Sequence, residues 1–227
     1  MSRLATFVVG LALVAGLVGY PGRARAYEIL TQDYRLNHVA VVSDSYTTGT
    51  DEGGEGPRSW PARAWQILAQ GGERIASDVG AEGRAGYVVR GDRGSVFEDL
   101  AAHGVKPDDA LVVFFGSRND QGVDPGMLAE RARSTFDLAR RLAPSAKFLV
   151  IGPPWPTADV PPAMFQIRDV LGAAAAAAGA AFVDPIAERW FVDQPDLIGA
   201  DGVHPTDAGH QYMADMIAPL IRTQLST

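Results

Sequence analysis

The sequence predicts one α/β domain, a three-layer α/β/α sandwich around a five-stranded parallel sheet. Short β-branched or aromatic runs of strand length alternate along the chain with longer amphipathic runs. Such alternation implies right-handed crossovers and a parallel sheet covered by helices on both faces. The 227 residues are enough to bury a sizeable core, and they fit one domain better than two.

The individual elements follow from these runs and from the Gly, Pro or Asp residues that bound them. The predicted strands are residues 38–42, 74–79, 110–115, 147–151 and 180–183. The predicted helices are residues 61–69, 95–102, 127–142, 162–178 and 207–225, with Ser59 placed to cap the first and Thr206 the last. Five strands suit a flavodoxin-like sheet, in which ligands bind beyond the carboxyl ends of the strands.

Charge and composition exclude several classes of function. The net charge is −7, and residues 1–26 hold three arginines and no acid, which leaves −10 for the rest of the chain. Nucleic acid and anionic membranes need basic patches, so we expect neither as a partner. The chain has no cysteine, which excludes disulfides, zinc–thiolate sites, Fe–S clusters and a thiol nucleophile.

The N-terminus has the features of a targeting segment. Arg3 precedes an uncharged run over residues 5–20, and Ala24-Arg25-Ala26 has the small-x-small form of a cleavage site. We therefore expect a signal peptide over residues 1–26 and a mature domain over residues 27–227. An uncleaved anchor is the alternative, although the apolar run is short for a spanning helix of about 20 residues. Either way the mature domain is expected to be secreted or in the cell envelope, with no integral membrane association beyond that anchor.

A candidate nucleophile, Ser45, follows the first predicted strand. A serine on the turn from a strand into a helix exposes its hydroxyl at the sheet edge, beside free backbone N–H groups. Serine needs a general base, and the chain has four histidines. His38 begins a strand, His103 ends a helix, and His210 lies within the last helix as a surface or packing residue.

The remaining histidine, His204, lies in a loop just ahead of the last helix, three residues after Asp201. The Asp201 carboxylate can accept a bond from its Nδ1–H, which fixes the tautomer and stabilises an imidazolium. The alternative is a turn-forming Asp beside a solvated histidine. A metal site of Asp201, His204 and His210 would lack further converging ligands, so we expect no metal and no cofactor.

Two loops offer donors for an oxyanion. Asn119 follows the third predicted strand, and one such amide donor is worth about 3 kcal/mol in comparable enzymes. The alternative is an Asn-Asp turn signal. In the loop after the second strand, Gly83 or Gly86 would let a backbone N–H approach a ligand closely; the alternative is an ordinary flexible loop.

These motifs together resemble the SGNH (GDSL-type) hydrolases, and the resemblance spans most of the mature chain. The four matching segments are Ser43-Asp44-Ser45, the loop with Gly83, Asn119 in residues 117–120, and Asp201-Gly-Val-His204-Pro. The resemblance implies that Ser45 attacks an ester carbonyl, His204 shuttles the proton and Asp201 orients His204. It also implies an oxyanion hole made of the Ser45 and Gly83 N–H groups and the Asn119 amide.

The chain departs from the family pattern in two places. Ser43 and Ser117 stand where the family usually has Gly, and a positive φ at either position would cost about 1 kcal/mol or more. The glycine of the second block is the least specific match, so Gly86 stays open as an alternative to Gly83.

The sequence thus predicts an exported carboxylic ester hydrolase, an esterase or lipase acting on acyl or acetyl esters of lipids or glycans. The alternatives are acyl transfer to a cell-envelope acceptor and a catalytically silent ligand-binding module of the same fold. Segment 50–59 is acidic and Gly-rich and is expected to be mobile, whereas Trp155 either walls an acyl or sugar site or packs under its loop. No large lid fits the length, which favours a shallow site for short acyl groups.

Overall fold

Five parallel strands form the centre of the computed structural model, which describes residues 36–116 and 118–226. The strands are β1 Leu36–Ser43, β2 Arg74–Ala81, β3 Asp109–Phe115, β4 Lys147–Ile151 and β5 Ala181–Val183. Their order in the sheet is β2-β1-β3-β4-β5, and every neighbouring pair is parallel. This is the predicted flavodoxin-like sheet, whose order reverses between β1 and β3.

Helices cover both faces of the sheet. They are α1 Ser45–Thr48, α2 Trp60–Gln70, α3 Phe97–Gly104, α4 Pro125–Leu142, α5 Pro162–Ala177 and α6 Asp207–Ser226. Helices α3, α4 and α5 pack on one face, and α2 packs beside α6 on the other. The three-layer sandwich predicted from the sequence is confirmed.

The core divides in two because side chains alternate along each strand. In β1, Ala40 and Val42 contribute to the cluster under α3, α4 and α5, whereas Val39 and Val41 contribute to the cluster under α2 and α6. Strands β1, β3 and β4 are buried on both faces, as their continuous apolar runs predicted. Strand β2 is an edge strand and is correspondingly exposed.

The N-termini of three helices agree with the predicted caps and starts to different degrees. Thr206 caps α6 as predicted, since its Oγ1 accepts from Gly209 N–H at 3.2 Å. Ser59 occupies the N-cap position of α2, but its side chain makes no capping bond. Helix α4 begins two residues earlier than predicted because Asp124 caps it, accepting from Met127 N–H at 2.9 Å.

The predicted signal peptide or anchor over residues 1–26 lies outside the described residues. Within residues 36–116 and 118–226, no helix has the length and apolar character needed to cross a membrane.

Candidate active site

The candidate nucleophile is the first residue of α1, just after the carboxyl end of β1. Asp44 caps this short helix, because its Oδ1 accepts from Tyr46 N–H at 2.9 Å. Ser45 is 8% exposed and lines an open cavity. Ser43 does not have a positive φ, and the substitution of Ser for the usual Gly therefore causes no left-handed strain.

A continuous line of hydrogen bonds joins Ser45, His204 and Asp201. Ser45 Oγ lies 3.1 Å from His204 Nε2, and His204 Nδ1 lies 2.5 Å from Asp201 Oδ2. The other oxygen, Oδ1, accepts from the backbone N–H groups of Val203 at 2.8 Å and His204 at 2.9 Å. Burial tends to raise the pKa of Asp201, but these bonds from His204 and the backbone outweigh it and lower the pKa. Asp201 is thus held ionised against the imidazole.

Two side chains that the sequence analysis did not single out hold the loop of this acid–base pair. Tyr46 donates its O–H to Val203 O at 2.6 Å, and burial raises the pKa of Tyr46 to about 12, so the group stays a donor. Glu52 accepts from Ala200 N–H at 2.9 Å and from Asp201 N–H at 3.3 Å. No sequence signal marks Glu52, since it lies about 150 residues from its partners.

These contacts also correct the expectation that segment 50–59 is mobile. Besides the bonds of Glu52, Gly54 N–H donates to Asp207 Oδ1 at 2.8 Å, and Arg58 pairs with Asp207 at 2.9 Å. Gly53 and Gly54 allow close packing, because a Cβ on Gly53 would overlap the Asp207 backbone and one on Gly54 would overlap the His210 ring. The segment therefore follows the turn that bears Ser45 and is bonded to the start of α6.

The two candidate glycines after β2 have different surroundings. Gly83 lines the same cavity as Ser45 and His204, and among the described residues nothing accepts from its N–H. Gly86 donates its N–H to Val89 O at 2.9 Å, and a Cβ there would overlap the Asp120 carboxylate. The geometry therefore favours Gly83 as a donor and gives Gly86 a packing role.

Neighbouring acids shape the loop that contains Gly83. Buried Asp120, which the sequence analysis treated only as part of a turn, accepts from the N–H groups of Tyr87 at 2.8 Å, Val88 at 3.0 Å and Val89 at 2.9 Å. Burial tends to raise the pKa of Glu82, yet bonds from Ser95 and Arg93 outweigh it and lower the pKa. Both carboxylates hold backbone N–H groups that a loop would otherwise leave to water.

Asn119 lies on a 3₁₀ turn after β3, beside the cap of the nucleophile helix. Its Nδ2 donates to Ala85 O at 2.9 Å and to Asp44 Oδ2 at 3.3 Å. Asn119 does not line the cavity that Ser45 and Gly83 share. A ligand oxygen would have to compete with Asp44, the more distant acceptor, for an Asn119 N–H. The other family departure, Ser117, lies outside the described residues.

Two open cavities flank His204. The nucleophile cavity, about 370 Å³, contains Ser45 and His204 and has Arg84, Asp92 and Arg93 at its rim. The second, about 400 Å³, adjoins the Asp201–His204 loop through Gly199 and Gly202.

Trp155 lines neither cavity of the described structure. Its ring packs against the core, the Arg118 guanidinium lies 4.7 Å from the ring centroid, and its Nε1–H donates to Asp159 O at 2.9 Å. The structure thus shows a packing contact for Trp155, and its role as the wall of an acyl or sugar site stays a prediction.

His210 is a fully buried packing residue, one of the two roles that the sequence analysis gave it. Its Nδ1 accepts from Trp60 N–H at 3.2 Å, and its Nε2 has no partner within the described residues. Burial lowers the pKa of His210 to about 4, so the ring is neutral. Across residues 36–116 and 118–226, no group of three or more acidic or histidine side chains is arranged to hold a metal ion.

Comparison with known proteins identifies the family. The model of the GDSL-like lipase/acylhydrolase family matches residues 44–212. A GDSL lipase of Mycobacterium tuberculosis is 70% identical over 229 residues, which cover 99% of each chain.

Two solved structures share the fold. TesA has a TM-score of 0.67 at 24% identity, over 83% of this chain and 100% of its own. A lipase/acylhydrolase from Enterococcus faecalis has a TM-score of 0.65 at 17% identity, over 83% and 97%. Because the family model and the 70% identical relative both match, this chain belongs to the GDSL-like lipase/acylhydrolase family and is a carboxylic ester hydrolase.

Proposed function

We propose that the enzyme is an exported serine hydrolase that cleaves acyl or acetyl esters of lipids or glycans through Ser45, His204 and Asp201. The observation that carries this proposal is the bonded line from Ser45 Oγ through both ring nitrogens of His204 to Asp201. Such a line supplies a nucleophile, a general base and the group that orients the base.

Acylation begins when Ser45 Oγ bonds to the ester carbonyl carbon while His204 Nε2 takes the hydroxyl proton. The carbonyl electron pair moves to oxygen, where the N–H groups of Ser45 and Gly83 and the Asn119 amide would receive the charge. Collapse of this intermediate expels the alcohol, to which His204 gives the proton. Throughout, ionised Asp201 stabilises the imidazolium.

Deacylation repeats the sequence with water. His204 Nε2 takes a proton from water as its oxygen attacks the acyl carbon, and then returns the proton to Ser45 Oγ as the carboxylic acid leaves. An alcohol on an acceptor molecule in place of water would give acyl transfer. Neither step calls for a metal or an organic cofactor.

The decisive experiment compares ester turnover by the full chain with that of Ser45→Ala and His204→Ala. Matched controls are Ser77→Ala, on the exposed edge strand, and His103→Ala, at an exposed helix end. We expect both site variants to lose at least about 10³-fold in kcat and both controls to keep it. Undiminished turnover by Ser45→Ala would end the proposal. Ester binding without turnover by the wild type would instead favour a silent binding module.

The natural substrate is proposed to be a small-molecule or cell-envelope ester with a short acyl group, and not a nucleic acid. The nucleophile cavity of about 370 Å³ is near the lower end of ligand pockets, and its rim is charged. A chain-length series of p-nitrophenyl esters tests this, and a clear preference for long acyl chains would contradict it. Adding a sugar or alcohol acceptor to the same assay reveals acyl transfer as a new ester product.

The proposed location outside the cytoplasm rests on the sequence of residues 1–26. N-terminal sequencing of the protein from its native host tests it. A mature N-terminus near residue 27 supports cleavage and export, whereas an intact N-terminus in the cytoplasmic fraction contradicts both.

A further inference from the structure

A buried chain of hydrogen bonds runs beneath the turn that bears Ser45. Trp60 Nε1–H donates to Thr47 Oγ1 at 2.7 Å, the Thr47 hydroxyl donates to Ser43 Oγ at 2.6 Å, and the Ser43 hydroxyl donates to Phe115 O at 2.8 Å. An indole N–H can only donate and a carbonyl can only accept, so each hydroxyl has one direction open to it. Trp60 and Ser43 are 0% exposed and Thr47 is 3% exposed, which keeps water from replacing these bonds.

We propose that Ser43 and Thr47 are positioning residues for the nucleophile, an inference that rests on the proposed role of Ser45. Ser43 lies two residues before Ser45 and Thr47 two residues after it, and the 2.6 Å bond between their hydroxyls closes the turn across its base. The backbone of Ser45 is thereby held from both sides. Its Oγ, 3.1 Å from His204 Nε2, depends on that backbone for its place.

The chain of bonds also fixes the turn to the rest of the active site. At one end it reaches Phe115, the last residue of β3, directly ahead of the loop that holds Asn119. At the other end it reaches Trp60, the first residue of α2, whose backbone N–H donates to His210 on α6. The nucleophile is therefore tied to the candidate oxyanion loop and to the helix that follows His204.

This arrangement gives a reason for the departure at residue 43. The glycine usual in the family has no hydroxyl, so with glycine at this position the Thr47 hydroxyl would lose its acceptor and Phe115 O its donor. Ser43 has no positive φ, so the position does not need glycine for its conformation. In this protein the Ser43 side chain fixes the position of the turn relative to the end of β3.

The test uses the full chain and three kinds of variant. Thr47→Val and Ser43→Ala each break the chain of bonds, and Thr47→Ser keeps the hydroxyl and should rescue it. Thr135→Val is the matched control, because Thr135 is a buried threonine on α4 whose hydroxyl donates to Arg131 O within its own helix at 2.8 Å. The measurements are kcat and KM on p-nitrophenyl acetate, the rate of Ser45 phosphonylation by a p-nitrophenyl phosphonate, and the thermal midpoint.

We expect Thr47→Val and Ser43→Ala to lower kcat and the phosphonylation rate roughly 10- to 100-fold with KM nearly unchanged, the effect of sub-ångström misplacement. Thr47→Ser should stay within about threefold of the wild type, and Thr135→Val should keep kcat. The double variant should lose little more than either single one, because both break one chain of bonds.

Unchanged kcat in Thr47→Val and Ser43→Ala, measured well below their thermal midpoints, would overturn the inference. If those variants do not fold, Ser43→Gly decides, since glycine is the family's residue there: a roughly 10-fold loss supports the inference, and wild-type turnover contradicts it. Failure of the proposed function itself would look different, because the wild type would then not be phosphonylated at Ser45 at all.

Discussion

Replacement of Asp201 by Asn tests the proton pathway with a minimal change in shape. In the native enzyme Oδ1 accepts from two backbone N–H groups, while Oδ2 lies 2.5 Å from His204 Nδ1. An asparagine keeps its oxygen on the two N–H donors, because the reverse orientation would set its NH₂ group against both. The amide NH₂ therefore faces Nδ1, which must accept. The ring proton then moves to Nε2, the atom 3.1 Å from Ser45 Oγ, and the base is lost.

The expected magnitude follows from this tautomer change. Loss of the base by the same replacement lowers kcat about 10⁴-fold in serine proteases, which corresponds to about 5 kcal/mol of transition-state stabilisation. We expect a similar loss on p-nitrophenyl acetate, with KM much less affected. Asp124→Asn is the matched control, since Asp124 also accepts a backbone N–H as a helix cap but is exposed, just ahead of α4. Asp201→Asn with more than about a tenth of wild-type kcat would refute the assigned roles of Asp201 and His204.

Three further replacements probe other parts of the account. Asp120→Asn leaves one acceptor oxygen for three backbone N–H groups, so we expect the free energy of unfolding in urea to fall by about 1.5–3 kcal/mol. A loss below about 0.5 kcal/mol would contradict the role of Asp120 in holding the loop after β2. Asn119→Ala should lower kcat about 10²- to 10³-fold if its amide serves the oxyanion, and an unchanged kcat would exclude that role. His210 resists protonation in the folded enzyme down to a pKa of about 4, whereas the unfolded chain binds this proton near 6.5. The stability that neutral His210 contributes is complete above pH 6.5 and is lost, by about 3 kcal/mol in total, as the pH falls toward 4. The unfolding free energy of His210→Gln should therefore vary less with pH over this window than that of the wild type. Equal slopes would contradict the buried, neutral state of His210.

The sequence was most informative where a local pattern fixes the structure. Strand β4 and most helix positions follow from apolar periodicity, and the Asp201–His204 spacing places both groups in one short loop. Ser45 on its strand-to-helix turn is weak evidence alone, and it became a candidate because the same sequence offers His204 with Asp201 as its base.

The rest depends on contacts between residues far apart in the chain. Glu52 supports Asp201 across about 150 residues, and Tyr46 reaches Val203 over a similar span. The choice of Gly83 over Gly86 rests on where Val89 O and the Asp120 carboxylate lie, and no periodicity reports that. Segment 50–59 was expected to be mobile because it is acidic and rich in glycine, yet Gly53 and Gly54 allow it to pack closely against the start of α6.

The most direct test of Ser45 as the nucleophile is to identify the site of covalent modification in the full chain. A p-nitrophenyl phosphonate loses p-nitrophenolate to the attacking hydroxyl, and mass spectrometry then identifies the residue that bears phosphorus. We expect one adduct per chain, on Ser45, formed in proportion to the loss of esterase activity and absent from His204→Ala on the same time scale. An adduct on another residue, or full activity in a chain modified at Ser45, would contradict it.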